Sequence, residues 1–189
     1  MSGYGLLFFD SSSTYALHLE GYAPPFEECR VIVYKGNFVN GEISGDGIAL
    51  LKNGVVIIGQ FEAGQLRDTN IQQMFPNGDH YAGGHRGGIK KGAGQYYQKD
   101  TDVTYDGFWV DNMKEGKGEI TYPNQKGAKF TGDFVADECV QGEYTDPLGN
   151  VFKTMVPSAD MKSFIIKQAK LEGTLVRTEA EKYDASLKK

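Results

Sequence analysis

Tyr34-Lys35-Gly36-Asn37-Phe38-Val39-Asn40-Gly41-Glu42-Ile43-Ser44-Gly45-Asp46-Gly47 is the stretch whose reading decides the fold. An aromatic, a glycine and a second aromatic stand at alternate positions, and three more glycines follow at fixed offsets. The frame returns at Tyr81-Ala82-Gly83-Gly84-His85 with Gly88, Gly92 and Gly94. It returns again at Tyr105-Asp106-Gly107-Phe108-Trp109 with Asn112, Gly116 and Gly118. Two looser copies, Ile57-x-Gly59-x-Phe61 with Gly64 and Phe130-x-Gly132-x-Phe134, complete a series that starts at 34, 57, 81, 105 and 130. Self-similarity at a period of about two dozen residues marks a repeat architecture. Three residues before each later start stands a turn-former: Gly54, Gly78, Asp102 and Gly127. Asn53-Gly54 and Asn77-Gly78 are hairpin dipeptides, because both residue types tolerate positive φ.

The register extends outward. Gly3-x-Gly5 followed by Leu6-Leu7-Phe8-Phe9 reads as the second half of a unit, and Tyr15, three residues after Ser12, opens a degenerate one through Leu17 and Leu19. Gly149 precedes Phe152 by three residues, and the pattern fades at Val156.

Each unit is expected to form two short strands joined by a turn. Alternate side chains share a face of a strand, so the leading ring, the glycine and the second ring lie together, as do the members of Gly-x-Gly on the neighbouring strand. A ring can then lie across bare backbone, the device by which aromatics rescue glycines in sheets. The expectation is a mainly β fold: a single-layer, twisted antiparallel meander over residues 1–156. An ordinary β-sandwich is the competing reading, but its strands seldom keep one residue phase through five units.

Composition agrees. The 189 residues include 25 glycines, which disfavours a helical bundle because glycine inside a helix costs about 1 kcal/mol relative to alanine. Net charge is −5, without the basic footprint that duplex DNA requires. No apolar run approaches the roughly 20 residues of a membrane span, Gly54 to Gly59 being strand-sized, and the N-terminus lacks the basic and apolar segments of a secretory signal. Cys29 and Cys139 are too few for a disulfide framework, which points to a reducing compartment.

The motif Tyr34-x-Gly36-x-Phe38-x-x-Gly41-x-x-x-Gly45-x-Gly47, with its copies from Tyr81 and Tyr105, resembles the MORN repeat (membrane occupation and recognition nexus) over roughly residues 3 to 156. It is looser at Ile57, where Asp68 and Asn70 replace the later glycines, and at Phe130, where Gln141 and Glu143 do. The resemblance implies a non-catalytic binding platform of the kind found in radial-spoke heads of cilia, protist membrane skeletons, junctophilins and beside some lipid kinase domains. It implies protein partners and no cofactor, in a ciliary, axonemal or cytoskeletal assembly, with self-association through sheet edges and lipid contact as further roles of such arrays.

From Pro157 the character changes: residues 157–189 hold one glycine and a net charge of +2. Pro157-Ser158 with Asp160 reads as a helix start, and Met161, Phe164, Ile165, Gln168 and Leu171 recur at helical spacing. A C-terminal α-helical tail is therefore expected. Its apolar stripe would either cap the open sheet end or dock on a partner.

Candidate partner-binding residues are Tyr34, Phe38, Phe61, Tyr81, Tyr105, Trp109, Phe130 and Phe134 on the sheet, with Phe164 and Ile165 on the tail. Aromatics supply large contact area at modest entropic cost, although part of each ring is already spent on glycine. The basic turn His85, Arg86, Lys90 and Lys91 is the alternative site, for a phosphoinositide headgroup or an acidic partner, and would make the chain a peripheral membrane adaptor. His80 and His85 lie near Asp79 but five residues apart on a strand, hence on opposite faces, so no metal is expected. Neither a phosphate loop nor Gly-x-Ser-x-Gly is present, and no catalytic residue is assigned.

Overall fold

The structure, a computed structural model, describes residues 2–9, 30–68, 70–153, 155–157 and 164–166. The readings placed on Tyr15 and Cys29 fall outside these residues. Thirteen strands form one open antiparallel sheet. In chain order they are β1 (Gly3–Phe8), β2 (Val31–Val39), β3 (Glu42–Leu51), β4 (Val56–Glu62), β5 (Gln65–Leu66), β6 (Asn70–Met74), β7 (His80–Arg86), β8 (Ile89–Gln98), β9 (Val103–Val110), β10 (Met113–Tyr122), β11 (Ala128–Val135), β12 (Glu138–Thr145) and β13 (Val151–Lys153). Each strand pairs with its neighbours in sequence, except that β5 is a spur on β4 and β4 continues to β6. The meander expected from the repeat is the meander observed.

A row of glycines crosses the sheet. Gly5 opposes Gly36, Gly36 opposes Gly47, and Gly47 opposes Gly59. Beyond β6 the row resumes as Gly83, Gly94, Gly107, Gly118, Gly132 and Gly142, each opposite the next. A Cβ added at Gly47 would stand 2.5 Å from the Tyr34 ring, at Gly94 2.6 Å from the Tyr81 ring, and at Gly118 2.5 Å from the Tyr105 ring. Real Cβ atoms do not approach so closely. Each ring thus lies over the glycine two residues on in its own strand and over that glycine's cross-strand partner.

The two glycines of Gly-x-Gly have different reasons to be there. The second seats the ring. The first (Gly45 φ 75°, Gly92 φ 81°, Gly116 φ 65°) stands in a β-bulge, in left-handed backbone that side chains avoid. Toward the following strand the ladder is unbroken: Gly45 and Gly47 stand opposite Phe61 and Gly59, and Gly92 and Gly94 opposite Trp109 and Gly107, so in that register both glycines keep to the ring side as expected.

The looser units are corrected by one residue. Opposite Gly132 stands Gly142, not Glu143, because the bulge in that hairpin is one residue shorter. In the Ile57 unit it is Ile71, not Asn70, that continues the row opposite Gly83, and its Cγ2 would meet a Cβ at Gly59 at 2.9 Å. An isoleucine side chain occupies the place where other units lay a ring.

Hairpins within units close on two residues of positive φ, as at Asn40-Gly41, Gly87-Gly88 and Asp111-Asn112, the backbone that matches strand twist. Between units, Gly54 and Gly78 have positive φ while Asn53 and Asn77 do not. Those asparagines act through their side chains instead: Oδ1 accepts from the amides of Val55 and Asp79, both at 3.0 Å.

The expected C-terminal helix is not found. Its described part, Phe164–Ile166, is a strand (β15) paired antiparallel with β14 (Met155–Pro157), and no α-helix occurs among the described residues. Three consecutive apolar residues, two of them β-branched, suit strand addition, whereas an isolated helix of about three turns is marginal. The rest of that stripe lies outside the described residues.

Two substitutions test this account. Gly94→Ala, which drives a Cβ into the Tyr81 ring, should cost about 2–3 kcal/mol in urea unfolding, whereas Gly92→Ala, with nothing within 4 Å of its Cβ, should cost only the left-handed backbone, about 1 kcal/mol. Ala63 turns its hairpin at φ 47°, so Ala63→Gly should raise stability by about 1 kcal/mol.

Candidate functional site

The sheet has two unlike faces. On one, Tyr34, Tyr81, Phe130, Tyr105, Phe61, Phe134 and Trp109 are all buried, at 0–4% exposure. The second aromatic of one unit packs edge-on against the leading ring of the unit before it. Phe61 meets Tyr34 at 5.2 Å between centroids, Trp109 meets Tyr81 at 5.6 Å, and Phe134 meets Tyr105 at 5.2 Å. Phe38, half-buried, packs edge-on to Tyr34 at 5.4 Å. The tyrosine hydroxyls reach past the glycine to a carbonyl three residues on: Tyr34 to Asn37 (3.3 Å), Tyr81 to Gly84 (2.6 Å) and Tyr105 to Phe108 (3.1 Å). The Trp109 indole donates to the Gly94 carbonyl at 2.9 Å. The sheet rings named as candidate binding residues thus spend nearly all their surface on the fold. Of Phe164 and Ile165, only their place in β15 is described.

The other face is open. It carries the residues between the ring-face positions, and its exposed apolar members include Tyr4, Leu6, Phe8, Ile48, Met74 and Phe108. A groove of about 910 Å³ runs over it, with walls from Tyr4 on β1 to Asp106 on β9. Ile48 and Ile58 lie in its apolar part, Ala82 and Ala93 keep its floor low, and Gln60, Gln72, Gln95 and Asn70 supply amides. Lys35, Asp46 and Asp106 add charge. No residue lining this groove is among the candidates drawn from the sequence. The signal was there: these are the x positions of Tyr-x-Gly-x-Trp, which strand alternation turns away from the rings.

The four basic-turn residues do not converge. His85 is buried and fills the second-aromatic slot. Arg86 is exposed and lies 3.9 Å from Asp68, and Lys91 is exposed. Lys90 turns inward, its ammonium over the rings of Tyr96 (4.2 Å), Trp109 (4.8 Å), Tyr81 (5.4 Å) and Phe75 (5.7 Å). Burial brings its ammonium down to about 8, helped by neighbouring Lys114 and opposed by Asp137 and Asp79, while the ring faces attract the cation. Lys114 takes the equivalent place one unit later, 5.5 Å over Tyr105.

The MORN repeat family model matches residues 34–56 and 105–126. The chain carries MORN repeats. The matched segments are the two units in which a leading tyrosine, the glycine row and a second Phe or Trp ring are all present. The Tyr81 unit keeps the same geometry with His85 in the second-aromatic place. No curated protein matches the sequence. Among solved structures it is similar to the SAS-4 (dCPAP) TCP domain in complex with a proline-rich motif of Ana2 (dSTIL) of Drosophila melanogaster, at 16% identity and a TM-score of 0.40. That match spans 60% of this chain and 60% of that one.

Polar groups inside the sheet hold turns. Asp79 accepts from the Tyr96 hydroxyl (2.6 Å), the Lys99 amide (2.8 Å) and Asn77 Nδ2 (2.9 Å). Burial alone would raise its carboxyl; these hydrogen bonds and the charge of Lys90 outweigh it and keep the carboxyl below its ordinary value. The Cys139 thiol is pushed up to about 11, chiefly by burial, and so stays protonated at neutral pH. Among the described residues no group of three or more His, Cys, Asp or Glu is placed to hold a metal, and no helix is long and apolar enough to cross a membrane.

His85 gives the array a pH dependence. The Gly88 amide donates to its Nδ1 at 3.1 Å, which places the proton of the neutral ring on Nε2. Burial lowers its pKa, outweighing the Arg67 carbonyl and the charge of Asp68, which raise it. The unfolded chain therefore binds this proton first as pH falls. The stabilising contribution is complete above about pH 6.5 and shrinks as pH drops below it. Urea midpoints measured from pH 7.5 to 5 should decline, and His85→Phe, which fills the same slot with a ring, should flatten the decline.

Proposed function

We propose that this chain is a non-catalytic structural subunit that binds protein partners through the open face of its MORN sheet. MORN repeats point to a protein-interaction or membrane-binding role, and the family is generally non-enzymatic. The observation that carries the protein-binding choice is the division of labour between the faces. The rings are used up in the fold, while the opposite face leaves a long groove of aliphatic, amide and small side chains exposed to a partner. Its flat floor at Ala82 and Ala93 lets a backbone approach, and its amides offer both donors and acceptors to an extended segment. The dispersal of His85, Arg86, Lys90 and Lys91 leaves the phosphoinositide reading without a shared pocket. The host we propose is a cytoplasmic assembly of the axonemal or cytoskeletal kind, the setting in which such arrays serve as scaffolds.

Ile48 and Phe108 are exposed at 41% and 56%, so substituting them should leave the fold intact. Tagged chain expressed in its native cell should co-purify with a defined set of partners and decorate a filamentous or axonemal structure. Ile48→Asp with Phe108→Asp should remove those partners at unchanged melting temperature. Recovery of the same partners by the double variant would place binding elsewhere, and diffuse localisation would reject the assembly.

A further inference from the structure

The two ends of the sheet are not alike. At the C-terminal end the short strand β13 pairs with β12 over three residues, while β14 and β15 pair with each other in a separate two-stranded sheet. At the N-terminal end β1 pairs with β2 alone among the described residues. The Phe9 amide donates to the Ile32 carbonyl at 3.0 Å, in register with the β1–β2 ladder. Alternation therefore directs the N–H and C=O of Leu7 and Gly5 toward β2 and those of Tyr4, Leu6 and Phe8 away from it. The side chains of the latter three are exposed at 68%, 56% and 70%, an apolar strip beside an open row of backbone donors and acceptors. Such an edge invites strand addition.

The repeat specifies what kind of strand fits. Every Gly-x-Gly strand inside the sheet is flanked on both sides: β3 by β2 and β4, β8 by β7 and β9, β10 by β9 and β11. Among the described residues β1 has a flanking strand on one side only. The glycine it offers is also under-covered: among the described residues a Cβ at Gly5 would meet only the Phe38 ring, at 3.3 and 3.6 Å, whereas at Gly94 it would fall within the Tyr81 ring at 2.6 Å. Where β2 meets β1, Gly36 opposes Gly5 and Tyr34 opposes Leu7, the pairing repeated as Gly107 with Gly94 and Tyr105 with Tyr96.

We infer that the outer edge of β1 is a strand-addition site for another protein, and that the strand it accepts has the pattern aromatic-x-glycine. The incoming glycine lies opposite Gly5 and the incoming ring, opposite Leu7, covers Gly5 to complete the unfinished unit. This deepens the protein-binding reading, on which it rests, but it names a different part of the molecule from the groove. Specificity comes from the ring seat, because any side chain in place of the incoming glycine would meet the ring that has to lie there.

The probe is a synthetic peptide of this chain's own residues 103–110, Val-Thr-Tyr-Asp-Gly-Phe-Trp-Val, titrated into the full chain. Saturable binding by fluorescence anisotropy is expected, with at least tenfold slower hydrogen exchange at the amides of Tyr4, Leu6 and Phe8. A peptide carrying Gly107→Val should bind at least tenfold more weakly, and so should the original peptide to a Gly5→Val chain whose urea midpoint is checked. Equal binding by both peptides would overturn the ring-seat code. Protection of those three amides before peptide is added would overturn the proposal too: if independent of concentration, the chain's own residues hold the edge, and if concentration-dependent, a second copy does. Loss of cellular partners on substitution of Ile48 and Phe108 together with intact peptide binding would separate the two surfaces.

Discussion

A ring lying flat on two glycines of adjacent strands is the constraint from which the rest of the structure follows. A single sheet has no second layer to bury its side chains, so each large side chain must find its cover within the sheet. The glycine pairs Gly36/Gly47, Gly83/Gly94 and Gly107/Gly118 supply a recess one Cβ deep on each of two strands, and the tyrosine drops into it. Its hydroxyl reaches a carbonyl at the far rim, its edge is held by the second aromatic of the following unit, and its exposed face is covered by Lys90 or Lys114 in two of the units. Each unit is incomplete until its neighbour arrives, which is why the array is cooperative although its contacts are local.

The same constraint decides which surface remains for function. Rings that bury themselves on one face cannot also receive a partner, so recognition passes to the residues between them. Those positions are under no packing demand and vary freely: Asn37, Gln60, Phe108 and Asp133 occupy one equivalent place in four units. The groove is polar in some strands and aliphatic in others for that reason. The fold is carried by one set of alternate residues and the surface chemistry by the other.

Hairpin tips add a second line of connection. The amides of Gly64, Asn112 and Asp137 donate to the carbonyls of Ile43, Lys90 and Lys114 in the preceding unit, at 2.9, 3.2 and 3.1 Å. Asn112 and Asp137 also return a side-chain oxygen to the amides of Lys90 and Lys114, at 2.9 and 2.8 Å. The turn residues therefore do two things at once: they take positive φ to close their own hairpin, and they tie it to the one before.

The sequence by itself determined the strand pairs, the turn positions and the face that carries the rings, because these depend on residues close together and on a strict alternation of two. It could be read at Tyr34, Tyr81 and Tyr105 without coordinates. Only the tertiary structure decided that Ile71 and Gly142 continue the glycine row, since a bulge of one residue more or less shifts the register without altering the motif. It alone decided that Lys90 turns into the rings while Lys91 faces water, and that Phe164–Ile166 becomes a strand instead of a helical turn. In each case the outcome turned on a residue of another strand: an adjacent unit's ring, or the strand that it pairs with. Spacing records what a residue is able to do, but the free energy of what lies against it selects among the alternatives.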